Sequence, residues 1–135
     1  MGSLWADMSE DFAEFTKILV VDDDQDTRDL LQFMLEENGA TITVASSAQE
    51  ALLIFEQVAP DLIISDVGMP GMSGYELIQQ IRTRPNGATP AIALTAYARD
   101  EDRHRALEAG FNDYITKPVD PLELIDRVQR YCKRS

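Results

Sequence analysis

Short apolar runs recur along the chain, and each is followed by polar or turn-forming residues. Most of these runs are continuous, which is typical of strands that are covered on both faces of a sheet. One run alternates apolar and polar residues instead. The pattern predicts five strands: Lys17–Val21, Thr41–Val44, Asp61–Ser65, Ala91–Leu94 and Tyr114–Thr116.

The segments between these runs repeat apolar residues at helical spacing. For the first helix, Asp26 is predicted to be the N-cap and Asn38-Gly39 the stop signal. The apolar face of this helix is predicted to include Thr27, Leu30, Leu31 and Met34.

Capping boxes of the S-x-x-E type open the second and third helices: Ser47 with Glu50, and Ser73 with Glu76. The fourth helix, Asp100–Ala109, is rich in charge and alanine, so we expect it to pack weakly and to move more readily than the others. Pro121 starts the fifth helix. Strands and helices therefore alternate five times, which predicts a parallel sheet with helices on both faces. The pattern alone leaves two doubly wound strand orders open.

Size and composition predict one globular domain of 135 residues with a net charge of −12. This charge repels phosphate backbones, so direct nucleic-acid binding is excluded, and a cation or a basic protein surface is the expected partner. Without a membrane-length apolar run or a signal peptide, and with one cysteine, Cys132, the domain is expected to be cytoplasmic and to make no membrane contact. Residues 1–15 are predicted to be a tail, native or left from cloning, residues 16–132 the domain, and 133–135 a second tail.

Polar side chains stand where the predicted strands end, which is one edge of a parallel sheet. They are Asp22 and Asp23 after the first strand, Asp66 after the third, Thr95 after the fourth and Lys117 after the fifth. Carboxylates at such an edge repel one another, and a hard divalent cation such as Mg²⁺ relieves this repulsion. Lysine and threonine can bind phosphoryl oxygens, so the edge predicts a magnesium-dependent phosphoryl site.

Two other metal motifs fit these acids poorly. An EF-hand loop that starts at Asp22 needs glycine where Thr27 stands and a bidentate glutamate where Phe33 stands. The D-x-D-x-T/V motif of haloacid-dehalogenase-type phosphatases fails in both registers, since its fifth position is Asp26 or Arg28. Both readings are set aside.

Together the strand-end motifs resemble the receiver domain of two-component response regulators. The resemblance covers residues 16–132 and is carried by Ile18–Asp23, Asp61–Asp66 with Met69-Pro70, Ala93–Ala96 and Thr116–Pro118. It implies a flavodoxin-like (βα)5 sandwich with the strand order 2-1-3-4-5. It also implies a signalling protein that works through a phosphorelay.

By this resemblance Asp66 is the phosphoacceptor and receives a phosphoryl group from a histidine kinase or a histidine phosphotransfer protein. The resemblance gives Asp23 as a direct ligand of Mg²⁺, Asp22 as a ligand mainly through water, and Gly68 as a ligand through its backbone carbonyl. Mn²⁺ is expected to substitute for Mg²⁺.

The resemblance further implies that Thr95 and Lys117 hold the phosphoryl oxygens, and that Lys117-Pro118 is a cis peptide. Thr95 and Tyr114 are the expected switch pair, and the fourth helix, fifth strand and fifth helix form the expected output surface. The positions of Gly68 and Tyr97 tune the lifetime of the phosphoryl group in this family, and these two residues predict slow self-dephosphorylation.

Two hypotheses from other classes compete with this one: a magnesium-dependent phosphatase, and a receiver-like module that never carries phosphate. The phosphatase motif fails, and the second hypothesis requires the loss of an acid, threonine or lysine that is present. The chain is therefore predicted to be a receiver, which acts only on itself and is not an enzyme for other substrates. It would be a stand-alone regulator or a part of a hybrid sensor kinase. His104 is expected to be a solvated helix residue and Cys132 a packing residue.

Overall fold

The computed structural model describes residues 16–132, and the two predicted tails lie outside the described residues. The strands are β1 (Lys17–Val21), β2 (Thr41–Ala45), β3 (Leu62–Asp66), β4 (Ala91–Thr95) and β5 (Asp113–Thr116). The helices between and after them are α1 (Gln25–Glu37), α2 (Ala48–Val58), α3 (Gly74–Ile81), α4 (Asp100–Ala109) and α5 (Pro121–Cys132). Every predicted strand and helix forms, with strand ends that shift by one residue at most.

The strands pair in parallel in the order β2-β1-β3-β4-β5. Two hydrophobic clusters lie on opposite faces of this sheet. One contains side chains from α2, α3 and α4, such as Phe55, Leu77 and Ala106. The other contains side chains from α1 and α5, such as Leu35 and Val128. The predicted flavodoxin-like sandwich and its strand order are therefore confirmed.

Burial explains why the apolar runs are continuous. All residues of β3 and β4 are buried, and so are four of the five in β1, because helices cover both faces of these central strands. β2 is an edge strand and is only partly buried. The polar residues that end β3 and β4, Asp66 and Thr95, are the last residues of the strands themselves. Both side chains therefore start from a rigid position.

The start of α1 differs from the prediction. Asp24, and not Asp26, is the N-cap: its backbone is extended and its side chain accepts a hydrogen bond from the amide of Thr27. The buried face of the helix is also shifted by one residue, because Leu31 and Leu35 are buried whereas Leu30 is half exposed.

The two predicted capping boxes form to different extents. Ser73 and Glu76 make the full reciprocal pair at the start of α3. Ser47 caps α2 by accepting from the amide of Glu50. The Glu50 carboxylate, however, accepts from the amide and hydroxyl of Ser46, one residue before the cap. The capping box of Ser47 and Glu50 is therefore only half formed.

α4 buries little of its surface, since a single residue of this helix is buried. Two of its arginines rest on aromatic rings instead. Arg103 lies 5.8 Å from the ring centroid of Tyr114, and Arg105 lies 4.2 Å from that of Tyr75. Such contacts contribute about 0.5–1 kcal/mol each at exposed sites. The residue before the helix, Arg99, makes no side-chain cap. The weak packing that was predicted for this helix is confirmed.

The C-terminal end of α4 is held by Arg82, which directly follows α3. Its guanidinium donates two hydrogen bonds to the carbonyl oxygen of Gly110, the residue after α4, at 3.0 and 2.8 Å. It also donates to the carbonyl oxygens of Gly87 and Thr89 and to the side chain of Asn112. One half-buried arginine thus joins the loops that precede β4 and β5.

Candidate functional site

The polar side chains predicted to meet at the carboxyl edge of the sheet do so. Asp22 and Asp23 directly follow β1, Asp66 ends β3, and one carboxylate oxygen from each of the three lies within 4.8 Å of the others. Lys117, directly after β5, reaches into the same group: its Nζ lies 3.0 Å from Asp22 Oδ2 and 3.5 Å from Asp66 Oδ1. We call these three acids and this lysine the acidic cluster.

Asp22 is the innermost member of the acidic cluster and has no exposed surface. Its Oδ1 accepts a hydrogen bond from the amide of Asp24 at 2.9 Å. The only polar contact of its buried Oδ2 within residues 16–132 is the ammonium of Lys117. Isolated buried charges are costly, so this oxygen depends on a cation.

Asp66 is 7% exposed. Its Oδ1 accepts from the amide of Gly68 at 3.2 Å and faces the Lys117 ammonium, whereas Oδ2 accepts no hydrogen bond from the part of the chain that the structure describes. Burial raises the pKa of Asp66, and the charge of Asp22 raises it further, against the opposing effects of Gly68 and Lys117. The carboxylate is therefore less stabilised than an ordinary solvated one and has a free oxygen.

Lys117 is fixed by its backbone as well as by its charge partners. Its amide donates to the carbonyl oxygen of Thr95 at 2.7 Å, and its bond to Pro118 is cis. Burial alone would lower the pKa of Lys117, but its hydrogen bond to Asp22 and the charges of Asp22 and Asp66 outweigh burial, and the pKa is raised. The ammonium therefore stays charged at neutral pH.

Thr95 and Tyr97 interact with each other at the end of β4. The Thr95 hydroxyl is buried, accepts from the amide of Tyr97 at 3.1 Å and lies 3.3 Å from the carbonyl oxygen of Tyr97. The ring of Tyr97 is exposed, with the guanidinium of Arg99 5.8 Å from its centroid. Gly68 is exposed, and no atom beyond its two chain neighbours lies within 4 Å of the place where a Cβ would stand. The space beside Asp66 is therefore open on this side.

The remaining predicted residues lie away from the acidic cluster. Tyr114 is half buried and packs on the hydrophobic cluster of α2, α3 and α4. His104 is exposed on α4, as predicted. Cys132 is buried at the end of α5, where burial raises the pKa of its thiol to about 12, and the predicted packing role is confirmed.

The donor set of the acidic cluster fits a hard divalent cation. All three side chains offer carboxylate oxygens, which Mg²⁺ prefers, and their separation of at most 4.8 Å fits one ion with room for water. The buried, poorly satisfied Oδ2 of Asp22 is a second reason, because a cation there would relieve its desolvation. The exposure of Asp23 gives access from solvent.

Sequence reasoning missed two residues that shape this site. A Cβ on Gly74, the first residue of α3, would stand 2.2 Å from the carbonyl oxygen of Asp66, so only glycine lets the helix approach this closely. A glycine directly after a capping serine was the available signal. Arg28 of α1 donates from NH1 to the carbonyl oxygen of Asp22 at 2.8 Å. No sequence signal marks this contact.

Comparisons with known proteins agree with this geometry. The family model described as response regulator receiver domain matches residues 18–129. An uncharacterized 14.6 kDa protein of Leptolyngbya boryana is 66% identical over 116 residues, which cover 85% of this chain and 88% of that protein. The transcriptional regulatory protein ResD of Bacillus subtilis is 42% identical over 120 residues, which cover 89% of this chain and 49% of ResD. The chain thus spans about half the length of this regulator.

Among solved structures, the receiver domain of the sensor histidine kinase PA1611 from Pseudomonas aeruginosa superposes with a TM-score of 0.82 at 34% identity, covering 89% of this chain and 99% of that one. That structure is described with a magnesium ion coordinated in its active site cleft. Within residues 16–132 no helix is long and apolar enough to cross a membrane. The match of the family model to nearly all of the described residues, together with these relatives, shows that the chain belongs to the receiver domains of two-component response regulators.

Proposed function

We propose that the chain accepts a phosphoryl group on Asp66 from a phosphohistidine, in a reaction that depends on Mg²⁺. The observation that carries this proposal is the acidic cluster: a nearly buried carboxylate with one free oxygen, two further acids within 4.8 Å and an ammonium 3.5 Å away. An arrangement that served only stability would not need three carboxylates around one lysine, because burying like charges together is costly.

The step is an in-line attack by a carboxylate oxygen of Asp66 on phosphorus. A P–O bond to Asp66 forms while the P–N bond to the donor imidazole breaks, and the departing nitrogen keeps the bonding electron pair. Lys117 binds one oxygen of the phosphoryl group as a point charge. The Thr95 hydroxyl donates to another once it leaves the backbone of Tyr97. Asp66 enters the reaction as a carboxylate, a form that the Lys117 ammonium 3.5 Å away favours.

Mg²⁺, or Mn²⁺ in its place, would neutralise charge on the transferring group. Asp22, Asp23 and Asp66 are assigned as its ligands, with the backbone carbonyl of Gly68 as a fourth. The fit of three carboxylates within 4.8 Å supports this assignment. In this scheme Lys117 changes partner, from Asp22 towards the phosphoryl group.

We assign a histidine kinase or a histidine phosphotransfer protein as the phosphoryl donor. It would act in the cytoplasm, where ATP supplies the phosphoryl group. The chain catalyses its own phosphorylation and a slow dephosphorylation and acts on no other substrate. The absence of a side chain at Gly68 supports the slow dephosphorylation, because no group there can orient a water molecule. Tyr97 is assigned as a shield once its exposed ring turns towards the phosphoryl group. Residues 16–132 are proposed to be the receiver unit and residues 1–15 and 133–135 its tails.

For the output we assign the surface of α4, β5 and α5. When Thr95 turns towards the phosphoryl group, the half-buried Tyr114 would move into the space that is left and release the guanidinium of Arg103. The sparse burial of α4 supports a surface that can rearrange at low cost. Partner recognition would then follow from the changed surface.

Incubation with a small phosphodonor such as acetyl phosphate and Mg²⁺ tests the proposal. Intact mass spectrometry should show the addition of one phosphoryl group to the wild type and none to Asp66→Asn or in EDTA. Asp61→Asn is the matched control, because Asp61 lies at the opposite end of β3, is exposed and accepts from the amide of Lys17. Labelling of Asp66→Asn equal to that of Asp61→Asn would contradict the proposal.

A further inference from the structure

The loop that carries Asp22 and Asp23 is tied to the first turn of α1 by a closed set of hydrogen bonds. The amide of Asp24 donates to Asp22 Oδ1 at 2.9 Å. Asp24 Oδ2 accepts from the amide and hydroxyl of Thr27 at 3.0 and 2.7 Å. Arg28 completes the set by donating from NH1 to the carbonyl oxygen of Asp22 at 2.8 Å.

The acceptor of Arg28 is a backbone carbonyl and not a carboxylate. No ion pair within 4 Å joins Arg28 to an acid among residues 16–132. The carbonyl that it binds belongs to the peptide plane between Asp22 and Asp23. Fixing this one plane constrains both carboxylates, because the Cα atoms of Asp22 and Asp23 are attached to it.

The contact is short and charge-assisted, and such bonds are about twice as strong as neutral ones. The guanidinium is half buried on a helix whose apolar face packs on the sheet, so the donor is itself well placed. Groups that orient metal ligands in this way typically change metal affinity by about 10–100-fold when they are removed.

We propose that Arg28 is a positioning residue for the metal site: it holds the peptide plane between Asp22 and Asp23 so that both carboxylates face the cation. This inference rests on the proposed function, since it takes the acidic cluster as the site of Mg²⁺. It adds a residue that does not touch the cation and lies outside the strand-end motifs.

The positive charge of Arg28 and its hydrogen bond affect Mg²⁺ binding in opposite directions. Whether a variant binds Mg²⁺ more tightly or more weakly therefore tests the inference. Loss of the positive charge of Arg28 leaves the acidic cluster more negative, and this alone strengthens cation binding. Loss of the hydrogen bond frees the peptide plane and weakens binding. For Arg28→Met we expect the second effect to dominate, with a dissociation constant for Mg²⁺ about 10-fold higher than that of the wild type.

The measurement is a titration with Mg²⁺ alone, followed by the amide signals of Gly68 and Asp24 in NMR spectra and without a phosphodonor. Arg28→Lys keeps the charge and a donor and should bind more tightly than Arg28→Met. Arg84→Met is the matched control, because Arg84 also donates to a backbone carbonyl, that of Leu52 at 3.3 Å, and is half buried. This control should bind Mg²⁺ like the wild type.

Three outcomes would overturn the inference. They are tighter or unchanged binding by Arg28→Met, equal losses in Arg28→Met and Arg84→Met, and no recovery in Arg28→Lys. If Arg28→Met does not fold, as judged by circular dichroism, Arg28→Ala, which also removes the donor, takes its place, and an affinity of Arg28→Ala for Mg²⁺ equal to that of the wild type counts against the inference. A wild type that binds no Mg²⁺ would remove the proposed function together with the inference, so the two failures are distinguishable.

Discussion

Lys117 contacts two buried acids, and its removal tests how much the stability of the acidic cluster depends on one cation. In Lys117→Met the ammonium is replaced by an apolar side chain of similar length. Asp22, which has no exposed surface, and Asp66, which has little, then face each other without a counter-charge. We expect the variant to be clearly less stable than the wild type when Mg²⁺ is absent.

The magnitude follows from the two distances. At 3.0 and 3.5 Å and an effective dielectric constant of about 20, each attraction is roughly 5 kcal/mol before desolvation is subtracted. Removing one partner of a buried pair typically costs about 3–5 kcal/mol. The lysine side chain is 26% exposed, so water screens part of the interaction and the lower value applies. We expect a loss of about 3 kcal/mol, or a fall in Tm of roughly 10 °C.

The loss of stability in Lys117→Met should depend on pH in a defined direction. The pKa of Asp66 is already above its ordinary value of 3.8, and loss of the ammonium raises it further. The folded variant therefore holds more protons than the unfolded chain above pH 3.8, and its stability increases as the pH falls through this window. The raised pKa of Lys117 has the same sign in the wild type but acts at higher pH: its contribution to stability is present below pH 10.5 and is lost as the pH rises beyond it.

Urea denaturation at pH 7 and at pH 5, in EDTA, measures both effects. Lys17→Met is the control, because the side chain of Lys17 is exposed on β1 and forms no ion pair within the described part of the chain. Mg²⁺ should restore part of the lost stability by linkage, about 2.7 kcal/mol at 100 times the dissociation constant. Equal stability of Lys117→Met and Lys17→Met at pH 7, or a deficit that is unchanged at pH 5, would refute the reasoning.

Further predictions concern three other positions. Asp66→Asn should raise Tm in EDTA at pH 7, since a carboxylate with a raised pKa loses stability on ionisation, and an unchanged or lower Tm would count against this reading. Gly74→Ala should cost about 3 kcal/mol in urea denaturation, because its Cβ meets the Asp66 carbonyl oxygen, and a cost below about 1 kcal/mol would show that α3 shifts freely. Cys132, whose pKa is about 12, should react slowly with an aromatic disulfide reagent at pH 8 and rapidly after unfolding, and fast reaction of the folded protein would place the thiol at the surface.

The sequence was most informative where a strand ends. Continuous apolar runs predicted the strands, and because parallel strands end at one edge, Asp22, Asp66 and Lys117 could be grouped without coordinates. The start of the first helix was harder to predict, because Asp24 lies two residues before the predicted cap Asp26 and either aspartate can cap a helix. In the structure Asp24 is the cap, because its backbone is extended and its side chain accepts a hydrogen bond from the amide of Thr27.

Contacts between side chains and distant backbone groups could not be predicted from the sequence. Arg28 binds the carbonyl of a residue six positions earlier, and any residue type offers that acceptor. Arg82 binds Gly110 and Asn112, which are 28 and 30 residues away, and its role depends on how two loops meet. Such residues look like ordinary charged surface positions until the fold is known.

The hydrogen bonds of Arg82 give α4 a mechanical asymmetry. One end of this ten-residue rod is tied to Gly110, whereas the other begins after the uncapped Arg99, at the edge of the sheet where Thr95 lies. While these contacts hold, a rigid helix moves mainly by tilting about the tied end, and the displacement grows with distance from Gly110. Over a length of about 15 Å, a tilt of about 10° moves the free end by about 2.6 Å and the tied end hardly at all. Any movement of α4 that keeps the hydrogen bonds of Arg82 is therefore expected to be largest at the end near Thr95 and smallest at Gly110.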